Sequence, residues 1–195
     1  LVVANWQKHK DNPEFIEDAI STIGNSVRRM NHLLNRIQRK EPSSMSNHDR
    51  CSVLEEVFDK ARVREPVPRL EVLDREQRVR ADRDRLVMVL SHLVANAQDA
   101  TPAGGNICMN LSREGHRAVI ALRDNGCGMS ESFVRNRLFR PFETTKMGKG
   151  MGIGVYQARE YLQSIGGKLS VSSVQGEGST FEIGIPLVSV ENIAA

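Results

Sequence analysis

The chain is short of aromatic residues, of cysteine pairs, of charge of one sign and of long apolar runs, and each shortage closes off a class of function. One Trp, two Tyr and six Phe make up 5% of its 195 residues, too few for the stacking platforms that bind single-stranded nucleic acid. Lys and Arg number 27 against 24 Asp and Glu, a net charge of +3. Between Arg62 and Arg85 the basic residues alternate with acidic ones, which marks a solvated face and gives no stripe for a phosphate backbone. No nucleic-acid partner is expected. Cys51, Cys108 and Cys127 stand far apart with no Cys-x-x-Cys pair. That predicts neither a disulfide framework nor a zinc site and favours a reducing, cytoplasmic setting. The longest apolar runs are as short as Leu86–Leu90, where a bilayer span needs about 20 residues, so no membrane contact is expected of this segment. It opens on Leu-Val-Val-Ala with no Met and reads as a piece cut from a longer protein, one whose anchor at the inner membrane stays an open question.

What is present is an ordinary core-forming mixture, 39% hydrophobic and 26% charged, enough for one good-sized domain and a smaller element. Ile16, Ile20, Ile23, Val27, Met30, Leu34 and Ile37 recur in steps of four and three, the pattern of a helix burying a narrow seam. Asn12 can cap it and Pro13 suits its first turn. With a helix end at Leu1–Lys10 this predicts a helical hairpin over 1–41, whose seam pairs with a second copy as a four-helix bundle. Residues 42–50 are polar and aperiodic and read as a linker. From 51 to 195 the pattern turns α/β. Helices are expected over 52–64, 82–100, 132–138 and 152–165, and strands near 70–73, 77–80, 106–113, 117–124, 168–174 and 179–185.

Four local patterns carry chemistry in this second part. In Leu86–Thr101, helical spacing puts His92, Asn96 and Asp99 on one polar stripe. The Asn side-chain oxygen suits a hard cation such as Mg²⁺, although such a stripe alone also reads as a polar helix edge. Asp124-Asn-Gly-Cys-Gly-Met129 follows a strand. Its carboxylate can accept from an exocyclic amine while Gly126 and Gly128 let the backbone approach a flat ring; alone, the hexapeptide also reads as a simple turn. In Leu138-Phe-Arg-Pro-Phe-Glu-Thr-Thr-Lys146 two phenylalanines bracket Arg-Pro and Lys146 can meet a phosphate, or the loop merely has an apolar anchor. Gly148-Lys-Gly-Met-Gly-Ile-Gly154 runs into a helix, exposing backbone N–H groups to an anion. The glycines come late, after a long loop, unlike a dinucleotide fingerprint, and no Gly-Lys-Ser/Thr makes a Walker loop.

In this order the four segments resemble the N, G1, F and G2 boxes of the Bergerat-fold ATPases, the superfamily of histidine kinases, gyrase, Hsp90 and MutL. Gly176-Glu-Gly-Ser-Thr-Phe-Glu-Ile-Gly-Ile-Pro186 resembles its last glycine box. The resemblance implies an α+β fold, a two-layer α/β sandwich with a mixed sheet covered on one face by helices, binding ATP and Mg²⁺. It implies that Asn96 holds the metal and that Asp124 reads the adenine amine with Gly126, Gly128 and Met129 beside it. Asp99, Phe139, Phe142, Thr145, Lys146, Gly148, Lys149, Gly150, Met151, Gly152, Ile153, Gly154 and Thr180 complete the expected nucleotide contacts. His92, Asn96 and Lys146 are the expected catalytic set.

His92 stands where the hydrolysing branch has a Glu, four residues before Asn96, and a kinase has no need to activate water. The branch implied is the sensor histidine kinases, and residues 138–161 resemble most those of PEP-CTERM/exosortase systems. A His-Asp/Glu acceptor box is missing: His9, His32 and His48 have the wrong neighbours. The expectation is a kinase region that phosphorylates a histidine upstream of Leu1, dimerises through the N-terminal helices and serves a response-regulator receiver domain. A hydrolysing conformational ATPase and a non-catalytic pseudokinase are the alternatives.

Overall fold

Alternation of apolar and polar residues lays down the sheet, and a 3.6-residue period lays down the helices that cover it. A computed structural model of the chain describes residues 12, 14, 16, 22, 46–73, 78–144 and 152–188. The chain divides into two compact units, Leu1–Pro42 and Ser43–Ala195. In the first, Asn12 Oδ1 accepts the Glu14 N–H at 3.0 Å and the Asn12 carbonyl accepts the Ile16 N–H at 3.0 Å, the bonds of a helix N-cap. The rest of the expected hairpin, with His9 and His32, lies outside the described residues.

The second unit runs β1 (Ser46–Asp49), α1 (Arg50–Ala61), β2 (Arg69–Val72), β3 (Arg78–Ala81), α2 (Arg83–Ala100), β4 (Ile107–Glu114), β5 (Arg117–Asp124), α3 (Glu131–Asn136), α4 (Gly154–Ser164), β6 (Lys168–Val174) and β7 (Gly178–Pro186). Residues 42–50, expected as a linker, contain β1, which pairs antiparallel with β3 from Ser46 opposite Ala81 to Asp49 opposite Arg78. The main sheet has the order β2-β4-β5-β7-β6. Strand β2 is parallel to β4 and the other neighbours are antiparallel, so the sheet is mixed, as expected.

Ile107, Met109 and Leu111 on β4, Ala118, Ile120 and Leu122 on β5, and Phe181, Ile183 and Ile185 on β7 point inward and are buried. They pack against Val53, Leu54 and Val57 of α1, Leu86, Leu90 and Leu93 of α2, and Ala158 and Leu162 of α4. A side chain such as Leu93, 0% exposed, stabilises this layer by about 2–3 kcal/mol. Asp82 caps α2 by accepting the Arg85 N–H at 3.0 Å. Its backbone is clasped by Tyr161, whose hydroxyl accepts the Asp82 N–H at 3.0 Å and donates to the Asp82 carbonyl at 2.9 Å. Burial pushes that phenol up to about 12. The clasp fixes the start of α2 to α4, and the two helices together carry one wall of the site described next. Among the described residues no helix is long and apolar enough to cross a membrane.

Candidate functional site

One wall is built at the C-terminal end of β5, where Asp124 is the last residue of the strand and is 4% exposed. Burial pushes its carboxyl above the ordinary range, partly offset by the backbone N–H groups of Gly126 and Ser179 that it accepts. The Gly126 bond is 2.9 Å long. The loop that follows is stitched to its surroundings by main chain. Cys127 N–H donates to the Ala100 carbonyl at the end of α2, and Gly176 N–H donates to the Cys127 carbonyl. Asn125 Oδ1 accepts the Asn106 N–H at 2.7 Å. Glycine is required here by the protein's own packing. A Cβ on Gly126 would lie 2.4 Å from the Ala100 oxygen, and one on Gly128, at φ +61°, would lie 2.0 Å from the Val174 oxygen. The close approach these glycines permit is to the protein's own backbone. Met129 N–H donates to Ser173 Oγ at 2.8 Å, which fixes the end of the loop.

The opposite wall combines α2 and the start of α4. A Cβ on Gly154 would lie 3.7 Å from His92 Cβ and 3.9 Å from Asn96 Nδ2, so the first residue of α4 packs directly on the polar stripe of α2. Ile153 is buried, and no side chain caps α4. The N-cap residue itself thus offers the first turn no side-chain bond, and that turn starts beside Asn96 with a dipole that favours an anion. The helix begins at Gly154 rather than at Gly152, because Gly152 adopts φ +62° and its carbonyl accepts the Phe142 N–H at 2.9 Å. Phe142 itself stands at φ +68°. Arg137 clasps Glu143 through Nε at 2.7 Å and through Nη2. The two ends of the loop are thus drawn together, and Thr145, Lys146, Gly148, Lys149, Gly150 and Met151 between them lie outside the described residues.

Three expected contacts are placed elsewhere. Asp99 is ion-paired with Arg64, on the loop that follows α1. Phe139 lies under the Arg159 guanidinium, 4.8 Å from its ring centre, an arrangement that holds α4 to this loop. Thr180 is opposite Arg123, and Ser179 is opposite Asp124. Thr180 therefore projects from the outer sheet face, and the hydroxyl beside Asp124 belongs to Ser179, 7% exposed. Ser173 and Gln98 were also missed. Gln98 Nε2 donates to the carbonyls of Ala61, Arg64 and Pro66 at 2.8–3.2 Å and anchors α2 to the end of α1.

The donor set fits a magnesium ion carried by a triphosphate. Among the described residues no three His, Cys, Asp or Glu side chains gather as a metal cage, and Mg²⁺ ordinarily takes one or two protein oxygens with phosphates and water. Asn96, beside the start of α4, carries one side-chain oxygen of that kind.

Comparison with known proteins agrees with this geometry. The family described as "Histidine kinase-, DNA gyrase B-, and HSP90-like ATPase" matches residues 81–189. The alginate biosynthesis sensor protein KinB of Pseudomonas aeruginosa is 31% identical over 182 residues, 87% of this chain and 30% of that protein. The chain thus spans under a third of that relative's length. The nucleotide-free catalytic domain of histidine kinase ThkA superposes with a TM-score of 0.63 at 26% identity, over 73% of this chain and 95% of that one. ThkA in complex with the response regulator protein TrrA superposes with a TM-score of 0.65 at 24% identity, over 95% and 55% of the two chains; at that identity the likeness speaks for the fold. Matched by the family over more than half its length, with the buried strand-end carboxylate and the glycine-started helix in place, the chain belongs to the histidine kinase-, DNA gyrase B- and HSP90-like ATPases.

Proposed function

We propose that this chain is the catalytic region of a sensor histidine kinase, binding Mg-ATP and passing its γ-phosphoryl group to a histidine outside the segment. The observation that carries the reading is the identity and place of His92. It stands one helical turn before Asn96, packed against Gly154, where hydrolysing members of the family have a Glu. An imidazole there leaves the acceptor histidine itself as nucleophile. Asp124 accepts the adenine amine. Asn96 would hold Mg²⁺, which when bound neutralises phosphate charge. The first turn of α4, with Lys146 and the glycines at 148, 150 and 152, orients the phosphates. Catalysis by such a site is positioning and charge stabilisation, with no covalent role for the protein beyond the acceptor.

A receiver-domain partner belongs to this reading, as ThkA is seen in complex with the response regulator protein TrrA. So do a cytoplasmic location for this segment and dimerisation through residues 1–41, the latter on the four-and-three spacing of their apolar residues. The finer resemblance to PEP-CTERM-system kinases rests on residues 138–161 alone. The test is the fate of γ-labelled ATP mixed with Mg²⁺ and this chain. ATP bound and left intact, with no stable label on His9, His32 or His48, is the expected result. Steady phosphate release that disappears in His92→Ala would move the chain to the hydrolysing branch.

A further inference from the structure

Three polar side chains stand in one row across the sheet. Ser173 on β6 is the direct partner of Ser179 on β7, and Ser179 is the direct partner of Asp124 on β5. Cross-strand partners project to the same face, here the inner one, where Ser179 and Asp124 are buried. Ser173 Oγ receives the Met129 N–H at 2.8 Å. It also lies 2.9 Å from the Gly178 carbonyl oxygen and 3.0 Å from Ser179 Oγ.

Counting protons fixes the direction of the row. A serine hydroxyl has one hydrogen to donate and two lone pairs. The Gly178 carbonyl can only accept, so the Ser173 hydrogen goes there. The contact with Ser179 is then made by the Ser179 hydrogen, which points at Ser173. Ser179 Oγ therefore offers only lone pairs to anything else that approaches, and the neighbouring Asp124 carboxylate, once ionised, does the same.

We infer that Ser173 is a specificity-determining positioning residue. By drawing the Ser179 hydrogen away from the site, it sets two acceptors against the two hydrogens of a purine 6-amino group and leaves a 6-oxo group without a donor. This rests on the reading of Asp124 as the residue that meets the base, and it adds a residue that touches no nucleotide. In Ser173→Ala the Ser179 hydroxyl is released and can rotate to donate to a 6-oxo group.

The test compares calorimetric affinities for ATP and inosine 5′-triphosphate, each with Mg²⁺, in the unchanged chain and its variants. A purely structural Ser173 would weaken both nucleotides alike. The expected result for Ser173→Ala is a fall of about tenfold in the ATP-to-inosine preference, with Ser173→Thr, which keeps a hydroxyl, retaining it. Ser179→Ala leaves the bonds from Ser173 to Met129 and Gly178 in place and should also lower the preference. Adding Ser173→Ala to Ser179→Ala should change the preference no further, since the rotor is already gone. Equal weakening of both nucleotides in Ser173→Ala overturns the inference. So does an unchanged preference in Ser179→Ala, whatever the fate of the Ser173 variant. A chain that binds ATP no better than the inosine nucleotide overturns the reading of Asp124 itself, whereas a preference that survives Ser173→Ala sinks this inference alone.

Discussion

The two ends of the site are held by different means. At the base end, backbone groups of the loop after β5 meet backbone groups of α2 and of the β6–β7 hairpin, through Cys127 with Ala100 and Gly176 with Cys127. Gly178, at φ +116°, lies so close that a Cβ would sit 2.0 Å from the Asp124 carbonyl oxygen. At the end proposed for the phosphates, one backbone bond from Phe142 to Gly152 closes the base of a loop, and one ion pair from Arg137 to Glu143 steadies the segment leading into it. Main-chain bonds between uncharged groups are not weakened by salt as ion pairs are, whereas an ion pair whose arginine is 56% exposed is open to screening. Among the described residues, the end at Asp124 is held by several main-chain bonds and the end at α4 by one main-chain bond and one half-exposed ion pair.

Substitutions can break that contrast. Asp124→Asn should remove ATP and adenosine binding together, by about a hundredfold or more in calorimetry, since an amide donor then faces the base amine; retained affinity would refute the base pocket. Gly128→Ala, with its positive φ and its contact with Val174, should destabilise the unit by about 2 kcal/mol, read as a lower melting temperature, and weaken adenosine as much as ATP. Gly152→Ala is strained in the same way, with a Cβ 2.5 Å from the Glu143 oxygen, but should act on the other end. ATP affinity is expected to drop about fivefold while adenosine affinity holds, and an equal loss of both would erase the distinction between the two ends.

Proton linkage sharpens the contrast further. Burial raises the Asp124 carboxyl above its ordinary 3.8. In the window between 3.8 and the raised folded value, the folded state binds more protons than the unfolded one, so the contribution of this group to stability without ligand falls as pH rises. Amine recognition needs the carboxylate, so adenosine affinity should rise over the same window. Melting and calorimetry on one pH series should therefore slope in opposite directions, and parallel slopes would count against the assignment. The smallest effect is expected of Arg137→Ala, under about 1 kcal/mol in stability and reduced further by salt.

Much of the fold was legible in the sequence. Strands β4 and β7 follow from apolar alternation, β5 from the continuous apolar run Ala118–Leu122, and helix α2 from a 3.6-residue period. Strand β1 escaped because Ser46-Asn-His-Asp49 carries no apolar alternation, and its pairing with β3 is a long-range choice that no local pattern announces. The glycines of the site were legible as positions, but not in what they approach, because Ala100 and Val174 come near only in the folded chain. Thr180, expected beside the nucleotide, is out of phase with the inward-facing residues of its strand. Phe181, Ile183 and Ile185 point inward, so Ser179 shares their face, and a shift of one residue reverses every side chain. The Arg64 partner of Asp99 had no signal at all, since it comes from a loop beyond another helix.

The bonds around Asn125 also bear on the chemical lifetime of the protein. Asn-Gly steps age when the glycine nitrogen attacks the asparagine side-chain carbonyl, closing a ring that opens to an acid. Here the Gly126 N–H is committed to Asp124 and the Asn125 side-chain oxygen to the Asn106 N–H. The attacking nitrogen and the attacked carbonyl are thus each engaged by the same bonds that shape the pocket. A protein that keeps its base pocket folded thereby slows the ageing of the sequence that builds it.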